Sequence, residues 1–186
     1  MQVEIDFGYL NTLSSVLSRV HFSNAHVNFI KCTIAGGAIR DMLLQKPVAD
    51  IDVFYEGELD DKKLSTWFKT VKTTDTTYPD GFNVTYKVSW ATIPVPIQLI
   101  QVKNIDKHIE SFPSPLCRVQ YDVKKGLKNI DMDFVDDVAN KVFTWDSNPG
   151  VVYFDKIKSK YSDWKHTFLD PEYDPYHDIE SIDLEF

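Results

Sequence analysis

Cysteine is nearly absent from this chain. Only Cys32 and Cys117 occur in 186 residues. They are far apart and each sits in an apolar stretch, with no Cys/His pair at metal-binding spacing, so a disulfide framework or zinc knuckle does not organise the fold. Two reduced core thiols are expected instead. Long apolar runs are absent too: nothing reaches the ~18 residues a spanning helix needs, which excludes that class of membrane protein. The opening "MQVEIDFGYL" has neither a basic start nor an apolar signal core, so the expected location is the cytoplasm. Basic residues are missing from 169 to 186, where seven of the 28 acids lie. The net charge of −8 therefore belongs mostly to that end, and the remainder holds 21 acids against 20 bases. A near-neutral body neither calls for nor forbids a nucleic-acid partner.

What remains is a globular composition, 43% hydrophobic and 26% charged, long enough for one well-cored domain. We expect that domain over residues 1–168 and an acidic, extended tail over 169–186. Leu10, Leu13, Leu17 and Val20 fall at helical spacing. "NFIKCTI" reads as a buried strand stopping at Gly36-Gly37, "AIRDMLLQ" as a helix ended by Pro47, and "DIDVFY" as a second strand. A helix over "DDKKLSTWFKTV", strands over "FNVTYKVSWAT" and "VPIQLIQV", a short helix over "IDKHIESF" and a strand over "LCRVQYDV" follow. Two further helices, "DFVDDVANKV" and "VVYFDKIKSKYSDWK", complete the body. This order predicts an α/β (α+β) fold, a mixed β-sheet flanked by helices with its ligand at the strand ends.

The chemistry concentrates in "IAGGAIRDMLLQKPVADIDVFY", residues 34–55. Asp50 and Asp52, two apart on a strand, leave one face while Ile51 and Val53 point into the core. Two carboxylates that close repel each other unless a cation sits between them, and hard oxygen ligands suit Mg²⁺, with Mn²⁺ as a substitute. Gly36 and Gly37, between strand and helix, let backbone N–H groups approach phosphate. Arg40 is placed to reach a phosphate or clamp a carboxylate, and Asp41 to pair near Arg40 or fix the turn. Each piece alone has a plainer reading, as turn, solvated edge or surface charge. Their order on one strand–helix–strand unit makes them specific. The patterns G-x-x-x-x-G-K-[ST] and G-x-G-x-x-G are both missing.

This stretch resembles the head signature of the DNA polymerase β-type nucleotidyltransferase superfamily, in the variant carried by CCA-adding enzymes and bacterial poly(A) polymerases. That signature reads Gly-Gly-x-x-Arg-Asp, an aliphatic stretch, then Asp-x-Asp. The resemblance implies a nucleotidyltransferase catalytic domain in which Gly36 and Gly37 hold the triphosphate of an NTP. Arg40 and Asp41 would stand for the Arg-Asp pair, and Asp50 and Asp52 for the metal ligands. The implied acceptor is a hydroxyl on an RNA 3′ end or tRNA, a small molecule or a host protein. More loosely, the small size and the stretch from "IQLIQV" to "LCRVQYDV" look like stand-alone nucleotidyltransferase-like proteins of bacteriophages, which would make the host cytoplasm the setting.

The pattern is incomplete. A third Asp or Glu is expected on a later strand, and Gln98 stands where it should be; an amide cannot serve as a carboxylate base. Asp122 is the substitute the sheet order offers, although an ordinary strand-end acid is the simpler reading. No Glu-Asp-x-x-Arg segment for base choice is found, and the residues after Asp122 leave no room for tRNA-gripping helical domains. Two functions follow: a minimal nucleotidyltransferase, or a catalytically inactive protein of the same fold that binds nucleotide, RNA or a host protein. Lys156, Lys158, Lys160 and Lys165 with Tyr161 and Trp164 could grip a nucleotide. An amphipathic helix with its lysines in water is the plainer expectation.

Overall fold

The structure is a computed structural model. It describes residues 8, 10–11, 31–57, 59, 69–75, 83–90, 93–122 and 125–177. Most of the expected first helix and of the helix over residues 60–68 lies outside these residues, as does 178–186. Within them, Leu10 is helical and fully buried.

Seven strands form one mixed sheet. In chain order they are β1 (Cys32–Ala35), β2 (Ile51–Tyr55), β3 (Lys69–Asp75), β4 (Asn83–Trp90), β5 (Ile93–Gln101), β6 (Gln120–Asp122) and β7 (Gly126–Lys128). Their spatial order is β3-β4-β5-β2-β1-β6-β7. Only β2 and β5 run parallel; the other pairings are antiparallel. β1 and β2 are joined by helix α1 (Gly37–Leu43), and α2 (Ile105–Glu110) follows β5. A mixed sheet flanked by helices is thus the architecture, as the strand and helix signals imply.

The pleat divides the sheet residues between two faces. Ile34, Ile51, Val53, Ile97 and Leu99 enter the main core, together with Ala38 and Ile39 of α1. Ala35, Phe54 and Ile100 occupy the other face and pack with Ile105 and Ile109 of α2. Each fully buried Ile or Leu contributes about 1.5–3 kcal/mol of transfer free energy. The alternation therefore fixes which face Asp52 and Gln98 must share.

The C-terminal half departs from the sequence reading. Helix α3 (Met132–Asn140) starts at Asp131, whose carboxylate accepts from the Phe134 N–H at 2.9 Å, and stops at Lys141 in the left-handed region. Val142–Trp145 then forms β8, not the end of the helix, and pairs in parallel with β9 (Lys165–Phe168). Between them lies α4 (Val151–Lys160). Asp137 of α3 accepts from Thr144 Oγ1 at 2.6 Å and from its N–H at 3.2 Å, which ties the helix to β8.

Phe143 and Trp145 stack on each other at 4.6 Å and meet Phe154, Tyr161 and Phe168. This aromatic cluster seats α4 against β8 and β9. Two other expectations shift. Lys69, Thr70 and Val71 begin a strand rather than ending a helix, in keeping with the β-branched run that continues to Thr74. The expected strand over "LCRVQYDV" opens as a 3₁₀ turn at Pro115–Cys117, because Pro115 presets the φ of a helical first position.

Candidate active site

The glycine turn comes first. The chain leaves β1 at Ala35 and passes through Gly36 at φ 79°, ψ −141°, into α1 with no side-chain cap. That conformation is open to glycine and strained for any residue with a Cβ. Space is not the constraint at Gly36, since a Cβ would sit 3.6 Å from the Phe112 ring. Gly37 has ordinary backbone angles, but a Cβ there would lie 3.4 Å from the Arg40 guanidinium. The first N–H groups of a helix lack intrahelical acceptors, so this turn offers donors to the space in front of it.

That space is a cavity of about 300 Å³. Its lining includes Gly36, Gly37, Asp50 and Asp52, Tyr153, Lys156, Ile157 and Lys160 of α4, and the Phe54 and Phe112 rings. Asp50 precedes β2 and Asp52 is its second residue, flanked by buried Ile51 and Val53.

Asp52 is short of partners: its Oδ1 is buried and accepts no hydrogen bond. Burial first, and the neighbouring Asp50 second, push its pKa up to about 7, while Lys156 pulls the other way. A buried carboxylate oxygen with no hydrogen-bond partner, beside a second acid, fits a divalent cation. The donor set is two acids only, for among the described residues no group of three or more His, Cys, Asp or Glu comes together.

Arg40 and Asp41 also border the cavity, but their charges are already spent on each other and on α4. Both side chains are almost fully buried, with Nη2 2.8 Å from Asp41 Oδ1. Arg40 Nε donates to the same oxygen at 2.8 Å and to the Tyr161 hydroxyl at 3.0 Å, and Nη1 reaches Cys117 Sγ at 3.3 Å. The Tyr161 hydroxyl in turn donates to Asp41 Oδ1 at 2.6 Å, and Lys160 Nζ donates to Asp41 Oδ2 and to the Pro47 carbonyl. Burial opposes the Arg40 charge, yet Cys117, Tyr153, Asp41 and Tyr161 hold its pKa well above the ordinary value. Burial also pushes the Tyr153 and Tyr161 phenols up, so both stay protonated as donors. The guanidinium lies 5.2 Å from the Tyr161 ring centre and 5.7 Å from that of Phe143. Of the two roles open to Arg40, this geometry is that of a carboxylate clamp.

Gln98 is the register partner of Asp52 on β5 and is half-buried. The position expected to hold a third acid is therefore beside the aspartate pair, and an amide fills it. Asp122 lies opposite Thr33, one pleat away from the Ala35–Asp52 row. Its carboxylate accepts from Lys128 Nζ at 2.7 Å and the Lys125 N–H at 2.9 Å, as expected of a strand-end acid. The α4 wall was the part hardest to see in the sequence. Its only trace is the spacing of Tyr153, Lys156 and Lys160, which recurs on one helical face. Lys158 sits over the Phe154 ring at 5.4 Å and Lys165 is exposed on β9; neither lines the cavity.

Comparison with solved structures identifies the class of fold. A CCA-adding enzyme in an apo form matches 96% of this chain and 44% of its own at 15% identity, with a TM-score of 0.60. A tRNA-processing enzyme in an apo form matches 78% of this chain and 38% of its own at 14% identity and TM-score 0.54. The Thermotoga maritima CCA-adding enzyme complexed with tRNA matches 75% and 33% at 16% identity, with the same TM-score. The fold is thus nucleotidyltransferase-like, and the chain spans less than half the length of these structures. At the level of sequence, residues 9–141 match the family model of Gad2, the Gabija anti-defense 2 family protein. The match covers more than two thirds of the chain, which belongs to that family. No curated protein matches it. Among the described residues no helix is long and apolar enough to cross a membrane.

Proposed function

We propose that this chain counters the Gabija defence as a minimal, metal-dependent nucleotidyltransferase. It would move a nucleoside monophosphate from an NTP to a hydroxyl acceptor, whether an RNA 3′ end, a small molecule or a protein. The observation that carries the reading is the presence, in the lining of one cavity, of an uncapped glycine turn and two carboxylates, one of which has a buried oxygen without a partner.

Asp50 and Asp52 would hold Mg²⁺ or Mn²⁺, which supplies charge neutralisation at the α-phosphate and a more acidic acceptor hydroxyl. The chain's own work is binding and orientation. Asp52, whose pKa lies at about 7, would hold the cation as a carboxylate, with its proton released to solvent. The Gly36-Gly37 N–H groups meet phosphate oxygens. Arg40 and Asp41 hold α1 and α4 at a fixed separation, so the cavity keeps its width. The acceptor oxygen would then bond to the α-phosphorus as its proton passes to solvent and the bond to the bridging oxygen breaks, and pyrophosphate leaves with that electron pair.

The test is transfer from α-labelled NTPs, all four bases, with Mg²⁺ or Mn²⁺, to RNA, protein extract and the purified Gabija proteins. Labelling should fall about 10³-fold in Asp50→Ala/Asp52→Ala, equivalent to several kcal/mol of metal-dependent stabilisation. Gln98 favours a second reading, binding without turnover. It gains if no acceptor is labelled, if Gln98→Asp creates no activity, and if Asp50→Ala leaves the anti-defence effect intact.

A further inference from the structure

Resting on that reading, we propose that Lys156 is the group of this chain that takes the charge of the triphosphate, from the α4 part of the cavity lining it shares with the aspartates. Among the described residues three cations border the cavity: Arg40, Lys156 and Lys160. Arg40 is enclosed, with its nitrogens on Asp41, Tyr161 and Cys117. Lys160 is held by Asp41 and the Pro47 carbonyl. Freeing either for a ligand would leave Asp41 buried with fewer partners, at a cost comparable to breaking a buried ion pair. Lys156 makes no hydrogen bond or ion pair among the described residues and is exposed.

The root of Lys156 is fixed even though its ammonium is free. Phe154 and Ile157, on either side of it in α4, are buried, and Tyr161 at the end of the helix is fully so. The ammonium therefore reaches the cavity from a fixed backbone position. The uncommitted charge around the cavity is then two carboxylates against one lysine. Polyphosphate would be repelled without a divalent ion, and with one the lysine provides the remaining contact. A compact, strongly hydrated point charge suits the mobile outer phosphates of an NTP better than a base or sugar. Lys156 is accordingly a binding residue for the outer phosphates, and the monophosphate portion is left to the glycine turn and the metal ligands.

The experiment is calorimetry on the full chain, with Mg²⁺ and the four α,β-methylene nucleoside triphosphates, compared with the nucleoside monophosphates. Lys156→Gln should weaken triphosphate binding about tenfold, the size of one charge-assisted contact, and leave monophosphate binding within about twofold. Lys156→Arg should restore most of the loss, and Lys158→Gln, outside the cavity, should change neither ligand. Equal triphosphate affinity in wild type and Lys156→Gln overturns the inference and leaves the nucleotidyltransferase reading standing. Equal weakening of both ligands also overturns it, because the outer phosphates would then not be what Lys156 contacts. If wild type binds no nucleotide with Mg²⁺ or Mn²⁺, the underlying reading fails and this inference falls with it.

Discussion

Two aspartates eleven residues apart in one motif have opposite surroundings. Asp41 accepts from an arginine, a tyrosine and a lysine at once, whereas Asp52 keeps a buried oxygen with no partner and faces another acid. The protein satisfies the first carboxylate internally, through contacts that join α1 to α4. It leaves the second unsatisfied, and an unsatisfied buried carboxylate persists in a folded chain when something outside the chain completes it. The contrast separates scaffold from site within a single signature. It also argues against treating the Arg-Asp pair as substrate-binding groups.

The sharpest way to break the comparison is Asp41→Ala, which leaves a buried guanidinium without its carboxylate. Unfolding free energy from urea titration should drop by about 4 kcal/mol. A loss below about 1 kcal/mol would mean that Arg40 finds solvent and that the clamp is not structural. The complementary change is Asp52→Asn, which should stabilise the metal-free protein at neutral pH. Asp52 binds its proton more tightly in the folded chain than in the unfolded one. Its stabilising contribution is therefore full below about pH 4 and is lost as the pH rises through about 7. Over that window the wild type should lose on the order of 3 kcal/mol relative to Asp52→Asn. Mg²⁺ should narrow the gap, read by thermal melts across pH. If Asp52→Asn destabilised the protein instead, Asp52 would have an internal partner and the contrast with Asp41 would collapse. Least in size, Gly36→Ala should cost about 2 kcal/mol through backbone strain, visible as a lowered melting temperature; an unchanged melt would show that the turn relaxes.

Much of the site was legible because its parts are local. Gly36-Gly37, Asp50 and Asp52 lie within 17 residues, and the alternation around Ile51 and Val53 states which way the acids face. Gln98 was also legible, since an amide between Ile97 and Leu99, both apolar, falls on the face opposite theirs. The second sheet was not. Val142 passes as the end of the helix over "DFVDDVANKV", and only the pairing of Val142–Trp145 with β9, some twenty residues on, makes a strand there. For the same reason the lysines of α4 read as a solvated face until the aromatic cluster under them fixed which lysines meet the cavity.

The sequence by itself determined the strand–turn–helix–strand unit, the mixed sheet and the identity of the candidate ligands, because period, glycine and proline chemistry and charge spacing act over a few residues. The tertiary structure alone decided how the charges are shared out. Arg40 and Lys160 turn inward to Asp41, and Lys156 is left without a hydrogen bond or ion pair among the described residues, because Phe154 packs α4 on Trp145 and Phe168 while Tyr161 and Lys160 bond Arg40 and Asp41 of α1. Such an allotment depends on burial and on contacts more than a hundred residues apart in the chain, and no local pattern encodes it.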